Sequence, residues 1–296
     1  MQLPHDPLKT KEVIEYVDNI LVKLNYTDLD NFSVTQFESG WRTWLSNSSY
    51  NKIIGLESME HCAFCPGTTD AFGEFISRYH NNRIRVSRSD FIITRVLSKA
   101  YERNLCYLED DELRAGDSLI ISVPFSGNGA MHPEFDKIMD TCDSLNIPVF
   151  IDAAYFGISH GITYDLTRPC IKDIATSLSK NFVGNPMRLG IRFTKDRIDD
   201  SITIALLGAN IFDKVNGYIS SELLKKFPQD WLIEKYMDKS KTVCKELGLQ
   251  PTNTLTLAIG NDSMQEYKRG DYIRVCISNH LSKQYKRQRL QLDWQH

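Results

Sequence analysis

The stretch TSLSKNFVGNPMRLG, residues 176–190, sets Lys180 three positions after Ser177, two before Phe182 and eight before Arg188. A surface lysine needs no such surroundings. An amine kept among hydroxyl and aromatic side chains has its pKa lowered, and the neutral form can add to a carbonyl carbon. An arginine near a hydroxyl suits a phosphate, because the planar guanidinium makes two charge-assisted contacts at once. These residues would capture, at both ends, a small molecule carrying an aldehyde and a phosphate.

Other residues would complete such a site. Asp152 closes the apolar run IPVFI, and Tyr155 follows three positions later. An acid there either caps a turn or faces a ligand at a strand end. CPGTTDAF brings Gly67, Thr68 and Thr69 to a helix beginning near Asp70, where backbone N–H groups and the positive end of the helix dipole would face an anion. The same run is also an ordinary helix start. Pyridoxal 5'-phosphate needs an amine for its aldehyde, an acid against its ring nitrogen, a donor to its phenolic oxygen and donors around its phosphate. Lys180, Asp152, Tyr155 and the group Gly67, Thr68, Thr69, Ser177 and Arg188 can supply these in turn.

In this order (Gly-Thr-Thr, Asp-x-x-Tyr, then Ser-x-Ser-Lys with arginine eight beyond) the chain resembles the fold-type I pyridoxal phosphate enzymes, specifically the class I/II aminotransferases, over residues 60–195. The resemblance implies that Lys180 is the Schiff-base lysine, Asp152 the ring-nitrogen partner and Tyr155 the phenolate partner, with Gly67, Thr68, Thr69, Ser177 and Arg188 on the phosphate. It nominates Phe91, after RIRVS, as the aromatic stacked on the ring; a core phenylalanine is the other reading. It nominates Arg274, in GDYIRVCIS, for the substrate α-carboxylate, against a surface arginine on an edge strand. The implied substrate is an amino acid. Transamination stands first, with β-elimination or C–S cleavage, decarboxylation and racemisation open, and a non-catalytic regulatory homologue as the alternative. Such enzymes are homodimers that share sites across the interface.

Two features depart from the family pattern. VPFSGNG puts Ser126 where the family carries an asparagine that bonds the phenolic oxygen, and Asn128 is the other residue that could take over that bond. Gly127 and Gly129 hint at a dinucleotide loop, yet His132 stands where a third glycine belongs. The chain is also short for the family. The portion between Leu249 and Arg274 is too small for the usual small-domain sheet, since a unit below about 50 residues struggles to bury its own core.

Holding these residues together requires strands whose ends coincide. DSLIISVPF, HPEFDKIMDTCDSLN and IPVFIDAAY read as strand, helix and strand, the unit of a right-handed parallel crossover. RIRVS alternates like a half-buried strand between helical patterns at Phe72–Tyr79 and Phe91–Glu102, and IKDIATSLSK and MRLGIRFT supply two more strands. The expected fold is α/β, a three-layer doubly wound, mainly parallel sheet with a reduced α+β small domain. Residues 30–210 would form the large cofactor-binding domain. Residues 1–29 and 211–296 would supply an N-terminal arm and the small domain, the latter ending in TLTLAIG and DYIRVCIS. In the arm, Val13, Ile14, Val17, Ile20, Leu21 and Leu24 have the spacing of an amphipathic helix.

Bulk properties narrow the partners. A net charge of −3 gives no global field for nucleic acid or anionic membrane, and the basic cluster Lys283, Lys286, Arg287 and Arg289 reads as a solvated tail. The amino terminus lacks a signal-peptide pattern and no apolar stretch nears the ~20 residues of a bilayer span, so a cytoplasmic protein is expected. Seven scattered cysteines fit reduced thiols. Cys62 and Cys65 form a C-x-x-C that could be half a zinc site or a redox pair; with no second ligand pair in view, buried small side chains are expected.

Overall fold

The computed structural model describes residues 8–182, 187–209 and 211–282. Helix α1 (Lys11–Lys23) starts at Thr10, whose side chain accepts from Val13 N. Its buried stripe, Val13, Val17 and Ile20, is narrower than the spacing predicts, and Leu21 is 50% exposed. After α2 (Tyr26–Asp30), helix α3 (Val34–Ser46) buries Phe37, Trp41, Trp44 and Leu45, and β1 (Lys52–Ile54) follows.

The main sheet is then laid down by β2 (His61–Cys65), α4 (Thr69–Arg78), β3 (Arg83–Val86), α5 (Ile93–Ala100), β4 (Leu105–Tyr107), β5 (Asp117–Ser122), α6 (Phe135–Ser144), β6 (Val149–Asp152), β7 (Thr163–Asp165), β8 (Ile171–Ser177) and β9 (Gly190–Thr194). Seven of these strands lie in the order β2-β9-β8-β6-β5-β3-β4, while β1 and β7 pair separately. Neighbours from β8 to β4 are parallel, and β9 runs antiparallel to both β8 and β2. The period of two sends Ile121 and Ile151 into the larger core on one face and Ile120 and Phe150 into the smaller core under α4 on the other. The sheet is therefore covered on both sides, as expected for a three-layer α/β fold.

That double cover corrects the half-buried reading of RIRVS. Arg85 is wholly buried, and its guanidinium meets Asp117 at 2.8 Å and the carbonyl oxygens of Glu112 and Tyr107 at 2.8 and 3.1 Å. The loop after β4 closes over a face that alternation alone assigns to water.

Beyond β9, α7 (Ser201–Thr203) runs into a π-helical turn at Ile204–Gly208, and α8 (Lys214–Lys226) and α9 (Trp231–Glu246) follow. The chain ends in β10 (Gln250–Pro251), β11 (Leu257–Ile259), β12 (Lys268–Arg269), β13 (Tyr272–Cys276) and α10 (Ser278–Leu281). The reduced small domain forms a four-stranded antiparallel sheet ordered β10-β11-β13-β12. It needs no core of its own, because Leu255, Ala258 and Ile277 join the large core of the main body.

Cys62 and Cys65 lie on the single strand β2. Three positions apart, they point to opposite faces and sit roughly 10 Å apart along the strand, too far for one metal or one disulfide. Burial raises both thiols, Cys65 to about 12. Among the described residues no helix is long and apolar enough to cross a membrane. The basic cluster at Lys283–Arg289 lies outside the described residues.

Candidate active site

The carboxyl ends of β3, β5, β6 and β8 share one edge of the sheet, the edge at which ligands bind in open α/β folds. Register does the assembling. Ser122 lies opposite Asp152, and Asp152 opposite Ala175, two residues before the end of β8. On the other side, Gly190 pairs with both Ser177 and Cys65. That three-strand match brings the Gly67 turn, Ser177 and Arg188 together from distant parts of the sequence.

The contact there is too close for side chains. Gly67 has φ +89°, and a Cβ on it would come within 2.4 Å of the Arg188 guanidinium; a Cβ on Gly190 would meet the Gly67 carbonyl oxygen at 2.5 Å. Arg188 Nε donates to Pro66 O at 3.3 Å, which lays this exposed side chain across the start of α4. Thr68 is the N-cap of α4 with no side-chain capping bond, and Thr69 is its first residue, so the helix presents its N–H groups toward Arg188. Ser177 is committed locally: Oγ accepts from Ser179 N at 3.1 Å and lies 2.9 Å from Ser179 Oγ and 3.1 Å from Leu189 O. It shapes the turn that carries Lys180.

Asp152, Tyr155 and Lys180 lie close together beside that turn, Asp152 buried and the other two partly so. Asp152 Oδ1 accepts from Ala154 N at 3.1 Å. Burial pushes its carboxyl up to about 7, against the pull of the Ala154 N–H and the Lys180 charge. Lys180 Nζ stands 5.5 Å from the centroid of the Tyr155 ring. Burial lowers the Lys180 amine, the Arg188 and Arg274 charges add to this, and Cys276 and Asp152 work the other way. Tyr155 is raised by burial, with Arg274 opposing. The amine is thus driven toward its neutral, nucleophilic form and the phenol is kept protonated as a donor.

Arg274, on β13, closes the site from the small sheet. It is 4% exposed, and its Nη1 donates to Ser126 O at 2.5 Å and Ser126 Oγ at 2.8 Å. This replaces the surface-arginine reading with a buried one. Asn128 is held within its own loop, accepting from Ala130 N at 2.9 Å and donating to Met131 O at 3.3 Å. Gly127 is a packing glycine: a Cβ would meet Phe125, Ser89 and Tyr272 at 2.6–2.8 Å. Phe91 is partly buried in the loop between β3 and α5, on the same sheet edge.

Three residues of this edge are missing from the sequence-level site. Asp90, beside Phe91, is 4% exposed, and Ser122 Oγ donates to its Oδ1. Arg269 Nη2 donates to the Asp90 carbonyl oxygen at 2.5 Å. Asp90 and Ser122 both follow or end strands at the carboxyl edge, and that position was the available signal.

Known proteins resemble this chain in sequence pattern and in fold. The family described as aminotransferase class I and II matches residues 66–256. No curated protein sequence matches the chain. Among solved structures, a C-S lyase from Staphylococcus hominis complexed with L-cycloserine superposes with TM-score 0.66 at 11% identity, covering 94% of this chain and 87% of that one. An aromatic aminotransferase from Pyrococcus horikoshii OT3 gives 0.65 at 14%, covering 93% and 90%. The L-threonine-O-3-phosphate decarboxylase from Porphyromonas gingivalis gives 0.60 at 13%, covering 88% and 90%. At such identities the likeness establishes a fold, and the three differ in reaction.

Proposed function

The chain belongs to the class I and II aminotransferase family, and from that premise we propose that it is a pyridoxal phosphate-dependent enzyme acting on an amino acid, with amino-group transfer as the leading reaction. The observation that carries this reading is the closeness of Lys180, Tyr155 and Asp152 beside one turn, with Lys180 Nζ 5.5 Å from the Tyr155 ring.

The residues fit the cofactor. The side-chain-free approach of Gly67 to Arg188, at an uncapped helix start, suits a phosphate. Asp152 is a buried acid raised by desolvation, which is the setting for a partner that brings its own positive N–H. When bound, the cofactor supplies an electron sink that stabilises negative charge at the substrate α-carbon.

The chain's own residues do the rest. Lys180 Nζ, whose hold on its proton burial weakens, would hold the cofactor's aldehyde carbon and would take the α-proton. Asp152 keeps the proton on the ring nitrogen, and Tyr155 donates to the phenolic oxygen. Gly67, Thr68, Thr69 and Arg188 would anchor the phosphate end, Ser177 would serve it through the turn it shapes, and Phe91 would lie against the ring. Arg274 receives the α-carboxylate, and Ser126 holds Arg274 in place. The proposal includes the division into a large domain (30–210) and an arm with a small domain (1–29, 211–296). It also includes a cytoplasmic homodimer, for which the exposed apolar side chains Ile92, Val96, Ile204 and Ile211 offer surface to cover.

Single-turnover product analysis with a panel of amino acids tests the reaction. A 2-oxo acid with the carbon skeleton intact supports transfer; ammonia with a cleaved side chain, or carbon dioxide, assigns the lyase or decarboxylase alternative. No product with any amino acid would favour the regulatory homologue.

A further inference from the structure

Asp90 is a buried acid with few of the compensations that a buried charge requires. Its Oδ1 accepts from Ser122 Oγ, and that hydroxyl in turn accepts from Ser126 N at 2.7 Å, so the serine's single proton is committed to Asp90. Its Oδ2 is buried with no hydrogen-bond partner among the described residues. Arg269 donates to the Asp90 main-chain oxygen at 2.5 Å, and its charge acts on the Asp90 carboxyl from there. An uncompensated buried carboxylate is costly, and the ordinary resolution is to keep its proton.

The neighbouring acid is Asp152. Ser122, which holds Asp90, lies directly opposite Asp152 across the β5–β6 pair, so the serine ties the loop acid to the end of the strand that bears the second acid. The other charged and titratable groups around this place are Lys180, which acts on Asp152, together with Arg269, Arg274 and Tyr155 from the far side. We infer that Asp90 and Asp152 form a carboxyl pair holding one proton between them, with Asp90 as its resting place and Asp152 left as the anion. Asp90 is then a positioning residue, acting through Asp152 rather than on any reacting atom.

Burial raises both carboxyls to about 7, and the Asp152 charge is among the forces that keep the Asp90 proton on. Two acids so placed lose their protons as a pair. In the reading proposed above, on which this consequence rests, the pair presents a single negative charge to the ring nitrogen near neutral pH. A second negative charge appears as pH rises through the raised carboxyl range near 7. The pair itself belongs to the chain and needs no cofactor.

The test uses the full chain freed of cofactor, with infrared difference spectroscopy of protonated carboxyls across a pH titration. In the wild type, carboxyl signal persists above about pH 5.5, where ordinary acids are ionised, and it titrates in two overlapping steps. Asp90→Asn retains the oxygen that accepts from Ser122 and loses one step. Asp152→Asn removes the partner charge, and the remaining step moves to lower pH; it reads the same coupling should Asp90→Asn fail to fold. A wild type with no carboxyl titrating above that range overturns the pair, as does an Asp90→Asn variant whose titration matches the wild type. Neither result depends on cofactor uptake, so failure of the pair and failure of the pyridoxal phosphate reading are told apart.

Discussion

Arg274 Nη1 donates to both oxygens of Ser126, the carbonyl at 2.5 Å and the hydroxyl at 2.8 Å. The bond joins β13 of the small sheet to the loop after β5, so the residue proposed for substrate carboxylate is held by the one that stands where the family carries asparagine. Serine's short side chain does not preclude a role; it supplies an acceptor to the arginine. Ser126→Ala leaves the carbonyl contact and removes the hydroxyl. A hydrogen bond to a charged group contributes about 1.5–3 kcal/mol. The expected outcome is a rise in KM for the amino acid of roughly tenfold with kcat little changed, read by steady-state kinetics.

Arg188 lies over Gly67 at the start of α4 and is exposed. Arg188→Ala should weaken cofactor uptake by roughly 10–100-fold, the worth of a charge-assisted contact. Attachment at Lys180 should persist at saturating cofactor. Absorbance titration of the cofactor-free chain measures both. An unchanged affinity would remove Arg188 from the phosphate site.

Asp90 and Asp152 have folded-state pKa values raised above the usual carboxyl range, to about 7, chiefly by burial. Between the unfolded value near 4 and the folded value the native chain binds more protons than the unfolded chain, so stability falls as pH rises through that window. The contribution of these two groups is fully present below the unfolded value and lost above the folded one. Urea melts of the cofactor-free protein should show this decline, and Asp90→Asn should flatten it and stabilise the chain at mildly alkaline pH.

Arg85 and Asp117 are both fully buried and bonded at 2.8 Å, with Arg83 also on Asp117 at 2.7 Å. Asp117→Ala leaves the buried Arg85 guanidinium without its carboxylate, while Arg83 keeps Asp111 at 2.8 Å. Loss of one partner of a buried pair destabilises by about 3–5 kcal/mol, and a lower urea midpoint with an unchanged slope checks it.

Much of this architecture is legible in the sequence because it rests on local pattern. The strands DSLIIS and VFID are buried on both faces and read as continuous apolar runs, and the helix between them has a clear period. The proposed site residues Lys180, Asp152, Tyr155, Gly67 and Arg188 are nominated from strand ends and from chemistry. Strands β1, β4 and β7 are three residues each, too short for a period to show, and their pairing is set by neighbours. Arg85 reads as solvent-facing because only the later loop reveals the lid above it. Asp90 does not stand out in the sequence, since nothing local says that Ser122, 32 positions on, will reach it. The small sheet is legible only in part: TLTLAIG and DYIRVCIS mark β11 and β13, but that the sheet borrows the core of the main body is a tertiary fact.

The central claim is that Lys180 is the residue that holds pyridoxal phosphate, and chemical trapping tests it most directly. The protein is incubated with pyridoxal phosphate, desalted, reduced with borohydride, digested and mapped by mass spectrometry, alongside Lys180→Ala. The account predicts a yellow protein before reduction and a phosphopyridoxyl group on the peptide containing Lys180, with neither in the variant. A colourless wild type, or label spread over other lysines with Lys180 unmodified, would contradict it.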